Sequence, residues 1–240
     1  MIVSSRLCGN FFETYGKRYW AHLFSMKCIL FFSYLSLLMS CKGKEQLPKP
    51  AITDKITPKN FTCDYSNNKQ RCKQLYKEYR QDPTFPNDRK LILFLRDSLL
   101  PCWYGTPWGF YGTTEEPGKG SIACGYFVTT VLRDAGFSLQ RIKLAQCPSE
   151  EMIKTICTRS SIHRYSDLSL SEFASETGKM GFGLYVVGLD NHTGFILNDG
   201  NEAYFIHSTF IKPTCVIKEK VNESKVLANS RYRVIGKVNL

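Results

Sequence analysis

From residue 183 to the end of the chain the apolar residues alternate with a period of two, and upstream of it they do not. The alternating runs cover 184–189, 193–197, 203–208, 214–219 and 232–238, which makes five strand candidates. Asn198-Asp199-Gly200 between the second and third is a hairpin turn signal, so these neighbours pair antiparallel. Helical patterns dominate before that point. Helices first and an antiparallel sheet second is an α+β arrangement.

The clearest helix is 124–135, where Phe127, Val128, Val131 and Leu132 repeat at the spacing of one buried face and Gly136 stands at the capping position. Shorter helices are expected at 149–157 and at 169–177, the second opened by a Ser169/Glu172 capping box. Upstream, 65–80 places Leu75, Tyr76 and Tyr79 on one face of a charged helix. A firmer helix over 90–100 follows Asn87 and stops at Pro101. Between them and Cys124 lies Cys102-Trp-Tyr-Gly-Thr-Pro-Trp-Gly-Phe-Tyr-Gly112, a loop whose glycines let its backbone come close to another segment.

The N-terminal part reads as an address. Lys27 precedes an apolar run of 12 residues, 28–39, too short to span a bilayer and of the length of a signal-peptide core. It ends in Leu38-Met-Ser-Cys41, a string similar to the lipobox of bacterial lipoproteins, in which the cysteine carries the lipid. That expectation makes Cys41 the lipidation site, puts translation start at Met26 and places the protein at the bacterial cell envelope, anchored in a membrane. Residues 42–60, with Pro48, Pro50 and Pro58 among lysines, form a tether. The expected organisation is then 1–41 signal region, 42–60 tether, 61–100 helical extension and 101–240 catalytic domain.

A formal net charge of +11 favours polyanionic surroundings. The basic residues are scattered and no nucleic-acid-binding motif occurs, so no nucleic-acid partner is expected. Of ten cysteines, Cys63, Cys72, Cys102, Cys147, Cys157 and Cys215 remain once Cys8, Cys28, Cys41 and Cys124 are set aside. An exported chain permits disulfides among them, and Cys63 with Cys72 is the first candidate. No Cys-x-x-Cys pair exists, so a structural zinc site is not expected, and thiol chemistry of the kind read below needs no metal or organic cofactor.

Cys124 sits where a loop turns into the clearest helix. The free backbone N–H groups of a helix start carry the positive end of the macrodipole and stabilise a thiolate or an oxyanion. A base is then needed, and His192 and His207 both lie on strand candidates joined by one turn, so both imidazoles are expected to face that helix. A histidine that takes the thiol proton leaves an ion pair, and the second histidine orients the first.

These strings resemble the NlpC-type cell-wall peptidases of papain-like fold. The resemblance rests on Thr106-Pro-Trp-Gly-Phe-Tyr-Gly112, Ala123-Cys-Gly-Tyr-Phe127, His192-Thr-Gly-Phe-Ile196 and Phe205-Ile-His-Ser208, in that order, over residues 101–210. It implies Cys124 as nucleophile, His192 as base and His207 as its orienting partner. It also implies cleavage of an amide bond in peptidoglycan stem peptides without a cofactor. The family's tyrosine that helps bind the free amine of the stem peptide corresponds here to Trp108, so Trp108, Tyr111, Tyr104 and Gly125 form the expected substrate-binding set. The acidic residue and serine that flank the family's cysteine are Ala123 and Gly125 here. Two other functions use the same residues: acyl transfer or protein cleavage by the same triad, and a lipoprotein binding module whose aromatic loop stacks on glycan or peptide.

Overall fold

The computed structural model describes residues 63–82 and 87–239, all within one compact unit, Thr62–Leu240. Cys41, Met26, the signal region and the tether lie outside the described residues.

The described chain is α+β, with seven α-helices and one six-stranded antiparallel sheet. The helices are α1 (Tyr65–Gln81), α2 (Asn87–Phe94), α3 (Cys124–Ala135), α4 (Arg141–Ala145), α5 (Ser149–Ile156), α6 (Leu170–Lys179) and α7 (Lys225–Ala228). The strands are β1 (His163–Ser166), β2 (Gly183–Leu189), β3 (Thr193–Asn198), β4 (Ala203–Ser208), β5 (Val216–Lys220) and β6 (Tyr232–Lys237), in the order β1-β6-β2-β3-β4-β5. Five of these strands answer to the alternating runs. The sixth, β1, has four mostly exposed residues at the edge and carries no apolar alternation from which a strand can be read.

Both faces of the sheet are covered. Val186, Phe195, Leu197 and Ile206 face a core shared with α3, whereas Tyr185, Val187, Ile196 and Phe205 face a second core with Phe173 of α6 and Leu227 of α7. This is why β2 and β3 are buried along their whole length. The helices of 61–100 are built into the first core: Leu91, Leu95 and Leu99 are fully buried in the same cluster as Phe127. After α2 the chain continues through a π-type turn, Leu95–Leu99, and a 3-10 turn, Leu100–Trp103.

Helix α3 forms as its pattern predicts. Phe127, Val128, Val131 and Leu132 are all fully buried, each contributing roughly 1.5–3 kcal/mol of burial. Phe127 meets Trp103 and Phe195 edge-on at 6.0 and 5.8 Å, which locks the helix between the N-terminal turn and β3. Gly136 ends it with φ of 116°, a conformation costly for any residue with a Cβ.

The disulfide expectation is corrected. Cys63 pairs with Cys102, Cα atoms 5.5 Å apart, and Cys72 is a free, fully buried thiol. Cys63 lies just before the α1 cap and Cys72 two turns inside, about 12 Å along the axis at 1.5 Å per residue, beyond disulfide reach. Burial pushes both Cys72 and Cys157 up to about 12, which leaves them inert.

Candidate functional site

The site lies where a β-ladder opens. Strands β3 and β4 pair from Asn198↔Ala203 to Phe195↔Ile206, and the ladder stops short of Thr193 and Ser208. The segment leading into α3 fills the opening. Ser208 Oγ donates to the Ile122 carbonyl at 2.7 Å, and the sulfur of Cys124 takes the main-chain N–H of Thr193, next to His192 in the chain. Helix start and strand start therefore meet at Cys124.

The aromatic loop secures this segment from the other side. Ile122 N–H donates to the Pro107 carbonyl, Ala123 N–H to that of Gly112 and Trp108 N–H to that of Thr214, each at 2.9 Å. A Cβ on Gly112 would lie 2.5 Å from the Ile122 nitrogen, so the close approach expected of the loop glycines is made to the chain that carries Cys124. Arg141, nearly buried, donates to the carbonyls of Thr113 and Thr114 at 2.8 and 3.1 Å and to Thr130 at 2.7 Å, which ties the end of the loop to α3.

The two histidines are in contact, with His192 Nε2 2.8 Å from His207 Nδ1 and both rings buried. They do not both face α3. His207 shares the sheet face of Phe205, while Ser208, its neighbour, points toward the α3 side. His192 lies in the β2–β3 turn ahead of Thr193 and meets His207 and Phe205. His207 lies across Gly194: a Cβ there would come within 2.7 Å of the His207 Cβ and of Phe205. Phe205 stacks on His207 at 3.9 Å between centroids and meets His192 edge-on at 6.2 Å, so the rings are held in orientation.

Beyond His207 stands Glu219 of β5, its Oε1 3.1 Å from His207 Nε2. In the β4–β5 register His207 lies opposite Ile217, so Glu219 is the diagonal neighbour on the same face, within reach of a long side chain. The sequence places an acid at the end of a strand run, but says nothing of which strand lies beside it.

Burial sets the protonation. It raises the Cys124 thiol above its ordinary value, against the opposing pull of the Thr193, Gly125 and Cys124 amides. Burial, followed by repulsion from His207, holds His192 well below 6.5, and burial holds His207 down against the pull of Glu219. Burial therefore favours the neutral form of the thiol and of both imidazoles. Burial works against the ion pair expected from the helix dipole, because desolvation penalises the charged form of each partner.

The expected substrate-binding residues separate. Trp108 is half-buried and faces Phe210, ring centroids 6.2 Å apart, and Phe210 in turn meets the His192 ring edge-on at 5.5 Å. Phe210 is 41% exposed, so it and Trp108 make an apolar wall beside His192 that sequence reasoning missed on the Phe210 side. Tyr111 is 89% exposed and rests on Phe110. Tyr104 packs against the first core instead of offering its hydroxyl to the wall. Gly125 is buried, its missing side chain filled by the Ala145 carbonyl, and its amide faces the Cys124 sulfur. After the aromatic loop, Glu115 pairs with Arg133 at 2.8 Å and Glu116 with Lys119 at 2.6 Å.

Among the described residues, no three His, Cys, Asp or Glu side chains are grouped as a metal ion would require. A shallow basic concavity lined by Lys154, Arg159, Ile162 and Arg164 involves β1, at the opposite sheet edge from β5, and two of its cations already pair with Glu150. Comparisons with family models, curated proteins and solved structures find no match to this chain.

Proposed function

We propose that the protein is a papain-like thiol hydrolase of NlpC type that cleaves an amide bond in peptidoglycan stem peptides, held at the bacterial cell envelope by a lipid on Cys41. The observation that carries the reading is the 2.8 Å contact between His192 Nε2 and His207 Nδ1, together with a free thiol on the first turn of α3 whose sulfur meets the amide of Thr193, the residue after His192. A histidine bonded through Nε2 keeps Nδ1 for the thiol.

In the proposed reaction the Cys124 thiol gives its proton to His192 Nδ1 as the sulfur attacks the amide carbonyl carbon. Because burial favours the neutral form of both groups, proton transfer and attack proceed together, and charge develops only in the transition state, where main-chain donors meet it. The oxyanion is stabilised by N–H groups at the start of α3. Ala123 provides no side-chain cap there, so a side-chain acceptor does not compete for them. The imidazolium returns its proton to the leaving amine, the C–N bond breaks and a thioester forms. Water, deprotonated by His192, then hydrolyses the thioester and restores the thiol.

The wall of Trp108 and Phe210 supports selection by apolar area, with one indole N–H as its polar feature. The test is digestion of purified peptidoglycan by the wild-type protein and by Cys124→Ala, with released fragments identified by mass spectrometry. New amine and carboxyl ends produced only by the wild type are the expected result. Equal digestion by both proteins overturns the mechanism.

A further inference from the structure

Resting on the hydrolase reading, we propose that Glu219 is a positioning residue that sets the tautomer of both histidines and so leaves His192 Nδ1 bare to receive the thiol proton.

The argument runs from the carboxylate inward. Burial raises Glu219, but hydrogen bonds from His207 and Ser224 work against it, and the carboxyl stays below its ordinary range and ionised at neutral pH. Ser224 Oγ already accepts Leu227 N–H at 3.2 Å as the cap of α7, so its own proton is the one given to Glu219. An ionised carboxylate only accepts. At 3.1 Å from Glu219 Oε1, His207 Nε2 must therefore carry hydrogen, because a ring lone pair there would face an anionic oxygen.

A neutral imidazole has one N–H, so hydrogen on His207 Nε2 leaves Nδ1 bare. Bare Nδ1, 2.8 Å from His192 Nε2, accepts from it, and that bond places the single N–H of neutral His192 on Nε2. His192 Nδ1 is then the free lone pair. When it takes the thiol proton, the imidazolium still donates through Nε2 to His207, while Glu219 keeps its charge and takes no proton. The groups facing His207 are His192, Glu219 and the Phe205 ring, so no other titratable side chain among these contacts competes for either nitrogen.

The tautomer is read directly on the wild-type protein by long-range ¹H–¹⁵N correlation of ¹⁵N-histidine-labelled protein, at a pH where both rings are neutral. Hydrogen on Nε2 of both His192 and His207 is expected; hydrogen on Nδ1 of His207 overturns the proposal, whatever any variant does. Glu219→Ala should then mix the tautomers and lower kcat by about 100-fold, the low end of what a general base supplies, with KM little changed. Glu219→Gln, which still presents an oxygen acceptor, should recover most of that loss. Unchanged tautomers and unchanged kcat in Glu219→Ala also overturn it. If the wild type cleaves no stem peptide, the hydrolase reading fails by itself. The positioning role is then judged by the rate at which iodoacetamide modifies Cys124, mapped by mass spectrometry: a slower rate in Glu219→Ala supports it, and an equal rate overturns it.

Discussion

The domain contains two polar relays of the same length, and only one of them can move a proton. In the first, Trp103 Nε1 donates to the Tyr65 hydroxyl at 3.1 Å, and Tyr65 donates to Asp134 at 2.8 Å. In the second, His192 meets His207 at 2.8 Å and His207 meets Glu219 at 3.1 Å. Both tie a distant segment to a carboxylate. The indole has one donor and no acceptor, and burial together with Asp134 holds the Tyr65 hydroxyl far above its ordinary value, so that relay is fixed in one protonation state. Asp134 is further clamped by Arg133 at 2.9 Å. Imidazoles have two nitrogens and exchange protons near neutrality, so the same geometry built from histidine can act as well as hold. Placement also differs: the Trp103 relay fastens α1 to α3, whereas the histidine relay ends at the opening that admits Cys124.

The comparison predicts that replacements in the two relays fail in different ways, and the largest effect belongs to the histidine side. Cys124→Ala and His192→Ala should each lower kcat by about 10³-fold or more while the melting temperature stays within a few degrees, and His207→Ala should cost less. Steady-state kinetics on stem peptides beside thermal unfolding would check this; wild-type turnover by Cys124→Ala breaks the contrast.

Asp134→Ala should do the reverse. It leaves the Tyr65 hydroxyl without its acceptor and Arg133 with Glu115 alone, a loss of about 1–3 kcal/mol in denaturant unfolding, with kcat of the folded protein unchanged. Tyr65→Phe should lie at the low end of that range.

A third distinction is pH. Both imidazoles are held below the ordinary 6.5, so under that pH the unfolded chain binds more protons than the folded one and stability falls as pH falls. The contribution is fully present above 6.5 and is lost as the pH drops through the lowered values of the folded rings. The melting temperature should therefore decline on acidification from neutrality. His192→Ala should flatten that slope, and Tyr65→Phe should leave it as it is.

The smallest effect concerns selectivity. Trp108→Tyr puts a hydroxyl into the wall beside Phe210 and should shift kcat/KM toward stem peptides with a free N-terminal amine by about tenfold over blocked ones. Trp108→Ala should lower activity on both. An equal loss on both substrates in Trp108→Tyr, together with a lower melting temperature, would make Trp108 a packing residue alone.

Much of the scaffold is legible because it rests on local patterns. The buried stripe of α3, the Ser169/Glu172 box and the alternation of β2 to β6 are each written within a few neighbouring residues, and the structure reproduces them. The fourth alternating run starts at residue 214, but β5 starts at Val216, because Thr214 has φ of 55° and belongs to the turn. Edge strand β1 and the five-residue α4 were too short to show a period.

The sequence by itself determined which residues could carry chemistry: a cysteine at a helix start and two histidines around one hairpin, since helix capping and strand alternation act over a few residues. Only the tertiary structure decided what surrounds them. Strand order put β5, and with it Glu219, beside His207; the early end of the β3–β4 ladder made room for Cys124; the fold of 65–103 joined Cys63 to Cys102 and left Cys72 in the core. Each of these depends on which distant segments lie side by side, and that is chosen by burial of apolar surface across the whole domain, with the cost of desolvation then raising the Cys124 thiol and lowering His192.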